Sequence, residues 1–194
     1  MNISPYILIG GRSSRFGRDK ATFELNGETL AARALRVCAE AFPAAEARFV
    51  SRASGTLLDH VTIADIYPDR GAAGAIHAAL ADARTPWIFV LACDLPLVRP
   101  DFILELVEFI GDDCGCVVPV QSDGRWQPLS AFYRTEVCLR VFEMLVAGDG
   151  RNQSLRAIAE SAKPRVVEFT EYSDLPDASR MLTNVNTIAD LDCI

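Results

Sequence analysis

Long hydrophobic runs are missing from this 194-residue chain. Its apolar stretches, such as 87–93, are strand-sized and fall short of the roughly 18 residues that a membrane-spanning helix needs. No membrane partner is expected. Basic charge is also scarce: 19 Lys and Arg face 26 Asp and Glu, a net charge of -7. Such a field repels nucleic acid and anionic lipid unless a concentrated basic patch reverses it, so no nucleic-acid partner is expected. Histidine occurs twice, as His60 and His77, and neither has a Cys or Ser at a recognisable catalytic spacing; ordinary structural roles are expected for both. The opening MNISPYILIGG has no basic leader, apolar run and small-residue cleavage site, which leads to the expectation of a cytoplasmic protein. The six cysteines (Cys38, Cys93, Cys114, Cys116, Cys138, Cys193) form no CxxC pair. Cys114 and Cys116 lack the downstream partners of a metal site, so all six read as reduced, mostly buried thiols.

What is present is apolar. Half the residues are hydrophobic and 23% are charged, a mixture that excludes intrinsic disorder. The length suits one domain, 1–194, able to bury roughly 70% of its unfolded surface. Short apolar strands are expected at 6–9, 49–50, 61–64, 87–93 and 116–120, with helical spacing between them at 29–42, 72–83 and 102–110. Pro100 and Asp101 make a good helix start. Near-continuous apolar strands alternating with helices mean an α/β fold, its sheet covered on both faces. The second half is less regular: a strand at 126–133, helices at 135–146 and 154–161, a last strand at 164–169, and a short helix in the tail after Asn184. No repeat, low-complexity stretch or long linker divides the chain.

Chemistry concentrates after the first strand, in Leu8-Ile-Gly-Gly-Arg-Ser-Ser-Arg-Phe-Gly-Arg-Asp-Lys20. Glycines directly after a strand let the backbone turn sharply and bring its N–H groups to an anion. Arg12, Arg15, Arg18 and Lys20 gather four cations in nine residues, a local reversal of sign that suits a nucleoside triphosphate. A Walker loop is excluded, because Gly11 and Gly17 are six apart and Arg18 follows. The Gly-x-Gly-x-x-Gly fingerprint is excluded because Gly10 and Gly11 are adjacent. A solvated basic loop is the plainer alternative. Asp94 ends the 87–93 run, where a carboxylate of a parallel sheet faces the ligand crevice and offers Mg²⁺ a hard oxygen; a turn cap beside Pro96 is its alternative. Asp65 stands likewise after 61–64, ahead of a glycine-containing entry into the 72–83 helix, where it could accept hydrogen bonds from a nucleoside or cap a turn. Asn184 and Asn186, two apart, point the same way from extended backbone, to bind a polar ligand or to stabilise a turn. Gln127 presents one more amide.

Together these segments resemble the molybdenum cofactor guanylyltransferases, within the nucleotidyltransferases that share a Rossmann-like domain. The opening is similar to that family's Leu-Ala-Gly-Gly, three variable residues, Arg-Met-Gly, one residue, Asp-Lys. Asp65 with 71–76, Cys93-Asp94-Leu95-Pro96 and Asn184-Val-Asn-Thr187 are similar to its remaining blocks, in order. Departures are Ile9 for Ala, Phe16 for Met, the absent Pro-Leu in 71–76, and no asparagine in 51–54. The resemblance implies a three-layer Rossmann-like fold with a mostly parallel sheet. It also implies transfer of GMP from GTP to molybdopterin or the molybdenum cofactor, with Mg²⁺ and loss of pyrophosphate. By the same implication Leu8, Ile9, Gly10, Gly11, Lys20 and Asp65 contact the nucleotide, Arg15, Lys20 and Asp94 are catalytic, and Asp94 holds Mg²⁺. Asn184, Asn186 and Gln127 would face the pterin, and a molybdoenzyme or chaperone would be the protein partner. A cytidylyltransferase, another small-molecule nucleotidyltransferase, and a nucleotide-binding sensor or carrier are the competing readings. The double glycine favours the guanylyl branch, and the presence of both Lys20 and Asp94 favours catalysis over mere binding.

Overall fold

The apolar run Trp87–Ala92 becomes a strand in which every residue is buried, and its alternate side chains divide between two cores. Trp87, Phe89 and Leu91 enter one, Ile88 and Val90 the other. A strand apolar on both faces needs a cover on both, and the computed structural model of the chain, which describes residues 2–9, 20–147, 154–185 and 190, supplies it.

Along the chain the strands are β1 (Ile3–Leu8), β2 (Glu24–Leu25), β3 (Glu28–Thr29), β4 (Arg48–Ser51), β5 (Gly55–Leu57), β6 (His60–Ala64), β7 (Trp87–Ala92), β8 (Cys116–Pro119), β9 (Ser130–Arg134) and β10 (Pro164–Val167). The α-helices are α1 (Leu30–Ala41), α2 (Ala72–Asp82), α3 (Pro100–Val107), α4 (Thr135–Ala147), α5 (Leu155–Ser161) and α6 (Ala178–Met181). The main sheet runs β10-β8-β9-β7-β1-β4-β6-β5; β2 and β3 form a separate hairpin. Within the eight strands only β5 and β9 run against the rest. Helices α1, α3 and α6 close the first core and α2, α4 and α5 the second, giving three layers.

Local chemistry sets the helix ends. Thr29 caps α1, its hydroxyl accepting from the Ala32 N–H at 3.1 Å, and the helix stops at Phe42 before Pro43, which disfavours helical backbone in the residue ahead of it. Helix α1 buries Leu30, Ala31, Ala34, Val37, Cys38 and Ala41. Strand β9 is shorter than expected because 121–125 is spent in a turn and 127–129 leads into the strand, with only the Val120–Trp126 bridge before it. The link from β8 to β9 has no crossover helix, so the two can pair only antiparallel. The β2–β3 hairpin, β5 and α6 were not expected, being too short to carry a periodic signal. The expected tail helix falls mostly outside the described residues. Among the described residues no helix is long and apolar enough to cross a membrane. The five described cysteines are buried; the Cys38 thiol is pushed up to about 12 by burial alone.

Candidate active site

Parallel pairing of β1 with β4 and β7, and of β4 with β6, sends the carboxyl ends of all four strands to one rim. The chain leaves β1 through α1 to β4 on one side, then returns from β6 through α2 to β7 on the other. Helices α1 and α2 lie on opposite faces, so the rim beside β1 is a topological switch point, where such sheets leave a crevice.

Four expected site residues lie along that rim. Leu8 ends β1 and Ile9 follows it, the Leu8 carbonyl accepting from the Cys93 N–H at 3.1 Å and the Ile9 N–H donating to Val50 O at 3.0 Å. Asp94 follows β7 and Asp65 follows β6, the latter anchored by its N–H to Ser51 O at 2.7 Å. Three strand spacings separate β6 from β7, roughly 14 Å. The two carboxylates therefore face different parts of one crevice.

Lys20, the last cation of the glycine-rich segment, donates from Nζ to Asp94 Oδ2 at 2.9 Å. Both side chains are partly buried, at 15% and 22% exposure, so this pair is shielded from full solvent screening. The other carboxylate oxygen, Oδ1, accepts from Asn184 Nδ2 at 3.3 Å. Asn184 Oδ1 accepts in turn from Gln127 Nε2 at 3.1 Å. The Asp94 carbonyl accepts from the Val185 N–H at 2.9 Å, which fastens the closing segment to the rim. Sequence reading had no signal for this last bond, because a backbone donor leaves no mark in residue identity. Gly10, Gly11 and Arg15, as well as Asn186, lie outside the described residues.

Asp65 is held by a local turn, its Oδ1 accepting from the Tyr67 N–H at 2.8 Å. Burial raises its carboxyl above the ordinary range, opposed by that hydrogen bond and by the nearby His77 and Arg52. Gly71 enters α2 at φ 58 and ψ -137, backbone that only glycine adopts readily. Gly74 lets the helix press against the Asp65 turn: a Cβ there would meet Tyr67 O at 2.3 Å and Asp65 Oδ1 at 2.7 Å. His77, expected to be structural, packs edge-on against Tyr67 at 5.1 Å between ring centres, and burial lowers its pKa while Glu143 and Asp65 pull it up. A separate cavity of about 420 Å³ lies between α1 and the loop into α3. Among the arginines lining it, Arg36 pairs with Glu28 and Glu40 and Arg99 with Asp101.

Asp94 can be tested as a metal ligand on its own surroundings. Each of its oxygens already accepts one hydrogen bond and keeps further lone-pair capacity. No group of three or more His, Cys, Asp or Glu converges among the described residues. A single carboxylate fits Mg²⁺, which usually takes one or two and completes its shell with water and substrate phosphate; it does not fit a closed protein cage.

An α/β sheet with a carboxylate and a lysine joined at its switch point, the lysine closing a glycine-rich basic stretch of sequence, fits the class of Rossmann-like nucleotidyltransferases. Known proteins agree. Residues 6–166 match the model of the MobA-like NTP transferase domain. A protein of Mycolicibacterium paratuberculosis named probable molybdenum cofactor guanylyltransferase is 35% identical, the match covering 98% of this chain and 94% of that one. A Geobacillus protein of the same name is 27% identical over 97% of this chain and 95% of its own length. Among solved structures, molybdopterin-guanine dinucleotide biosynthesis protein A from Archaeoglobus fulgidus superimposes with a TM-score of 0.74 at 20% identity, covering 98% of this chain and 95% of that chain. The Francisella tularensis 2-C-methyl-D-erythritol 4-phosphate cytidylyltransferase gives 0.72 at 16% identity, over 100% and 98%, a likeness of fold alone. This chain belongs to the MobA-like NTP transferase family.

Proposed function

We propose that the protein transfers GMP from GTP to molybdopterin, or to its molybdenum-loaded form, with release of pyrophosphate. An oxygen of the acceptor's terminal phosphate forms the new bond to the α-phosphorus, and the bond from that phosphorus to the β-bridging oxygen breaks in line. Such a transfer needs positioning and charge neutralisation rather than a covalent intermediate. The observation that carries the reading is the 2.9 Å contact between Lys20 and Asp94. It joins the end of the basic segment to the carboxylate at the end of β7, so one triphosphate can touch both.

Lys20 then faces the phosphates and offsets the charge that develops as pyrophosphate departs. Leu8, Ile9, Gly10 and Gly11 would contact the nucleotide, Arg15 would add positive charge, and Asp65, at the far end of the rim, would accept hydrogen bonds from the nucleoside. Asn184 and Asn186 would contact the acceptor. Asp94 would hold Mg²⁺ alongside the phosphate oxygens. Bound there, the ion would act as a Lewis acid toward the triphosphate. GTP and the pterin are the substrates, and a molybdoenzyme or its chaperone would receive the product in the cytoplasm. The names of the relatives support the guanylyl and pterin assignments.

Pyrophosphate release is measured with each of the four nucleoside triphosphates, with molybdopterin and with or without Mg²⁺. GTP alone should support turnover, and only with the metal. Turnover with CTP instead would move the protein to a cytidylyl activity, and no turnover with any triphosphate would leave a binding protein. Asp94→Asn should lower the Mg²⁺-dependent rate by about 100-fold or more, as removal of a preorganised charge does. Normal activity in that variant would remove the metal role.

A further inference from the structure

Gln127 is out of reach of solvent. It is 5% exposed, and its backbone is pinned on both sides, the N–H donating to Pro119 O at 2.9 Å and the carbonyl accepting from Ser130 N at 3.2 Å. Its amide nitrogen faces two acceptors, Asn184 Oδ1 at 3.1 Å and Leu182 O at 3.5 Å. That end must be the NH₂, because the Leu182 carbonyl can only accept, and the Asp94 carboxylate, which also only accepts, turns the Asn184 oxygen toward Gln127. The donor fixes the next amide in the same way: with Asn184 Oδ1 engaged by Gln127, the Asn184 NH₂ is left to point at Asp94 Oδ1. Lys20 secures the opposite oxygen. The Asp94 carboxylate is thus held from two sides, by a cation of the basic segment and by a chain of amides rooted in the core.

We propose that Gln127 is a positioning residue, which sets the orientation of the Asp94 carboxylate through Asn184 and need not touch either substrate. The inference rests on Asp94 as metal ligand in the reading above. Without the Gln127 donor, the Asn184 amide still turns its NH₂ toward the acceptor-only carboxylate but loses the bond that holds its other end, so the Asp94 carboxylate loses part of its fixed direction. Partners of this kind behind a metal ligand typically change metal affinity or activity by about 10- to 100-fold.

The test uses Mn²⁺ with GTP, followed by electron paramagnetic resonance, so that binding is read without turnover. Gln127→Met removes the donor at similar volume; it should weaken Mn²⁺ binding in the presence of GTP by about tenfold, and lower kcat while the KM for molybdopterin stays unchanged. A raised pterin KM with unchanged Mn²⁺ binding would overturn the proposal and make Gln127 a direct substrate contact. No change in either would reduce it to packing. Asp94→Asn separates the two levels: if it binds Mn²⁺ like the unaltered protein, the metal reading falls, whereas loss there with none in Gln127→Met overturns only the present inference. If Gln127→Met fails to fold by circular dichroism, Gln127→Asn keeps a polar amide but draws the donor back by one methylene, out of reach of Asn184. The same weakening is expected, and unaltered binding would overturn the proposal.

Discussion

One missing side chain decides the approach of α2 to the nucleoside end of the rim. An added Cβ on Gly74 would lie 2.3 Å from a backbone carbonyl, which cannot swing aside as a flexible side chain could. Gly to Ala inside a helix ordinarily stabilises, by roughly 0.5–1 kcal/mol. Here overpacking of about 1–3 kcal/mol opposes it, so the sign should reverse. Gly74→Ala is expected to lower the thermal midpoint and, by displacing Asp65, to weaken GTP binding in calorimetric titration; a more stable variant with intact affinity would show that the turn yields without cost. The buried thiols behave oppositely. Cys116 and Cys138 donate to the carbonyls of Ala159 and Gly115, and Cys38 is held protonated by burial, so these sulfurs act as small packed apolar groups rather than as ligands.

Helix α1 links the basic segment to the sheet. It starts at the Thr29 cap, immediately after the hairpin that follows Lys20, and its buried stripe rests on β1 and α3. Losing a Thr cap typically costs about 1 kcal/mol. Thr29→Ala should therefore lower the midpoint by about 2–4 °C, read by differential scanning calorimetry, with little effect on kcat. A larger loss of activity than of stability would mean that the cap also places Lys20. The short elements around α1 escaped sequence reading for a physical reason: two residues of strand in Glu24–Leu25 or three in Gly55–Leu57 show no alternation, and their pairing is decided by the partner strand. The long ones, α1 and β7 above all, declare themselves through many apolar positions repeating at one period.

At the scale of the molecule, two cores separated by one sheet hold the rim rigid. Phe89, Phe132 and Phe42 form an aromatic cluster beneath it, with Phe89 and Phe132 at 4.8 Å and Phe42 and Phe132 at 6.2 Å between ring centres. Phe132 is fully buried and sits on β9, the antiparallel strand beside β7. Phe132→Ala should cost about 3–5 kcal/mol in urea unfolding, a large share of the 5–15 kcal/mol typical of a domain. A loss below about 1 kcal/mol would mean that the core closes over the gap, and that the register of β9 against β7 does not depend on this ring.

The α/β class, the buried central strands and the placement of Asp65 and Asp94 at strand ends follow from the sequence by itself, because burial on both faces leaves a continuous apolar run and its terminus has only one rim to face. Only the tertiary structure decided which groups meet. Lys20 and Asp94 lie 74 residues apart, and Asn184 lies a further 90 from Asp94. Contacts across such separations have no period and no local spacing; they depend on the order in which strands are laid beside β1. The inward turn of Gln127 was hidden for the same reason, since a glutamine reads alike whether its amide faces a ligand or is spent holding another side chain in place.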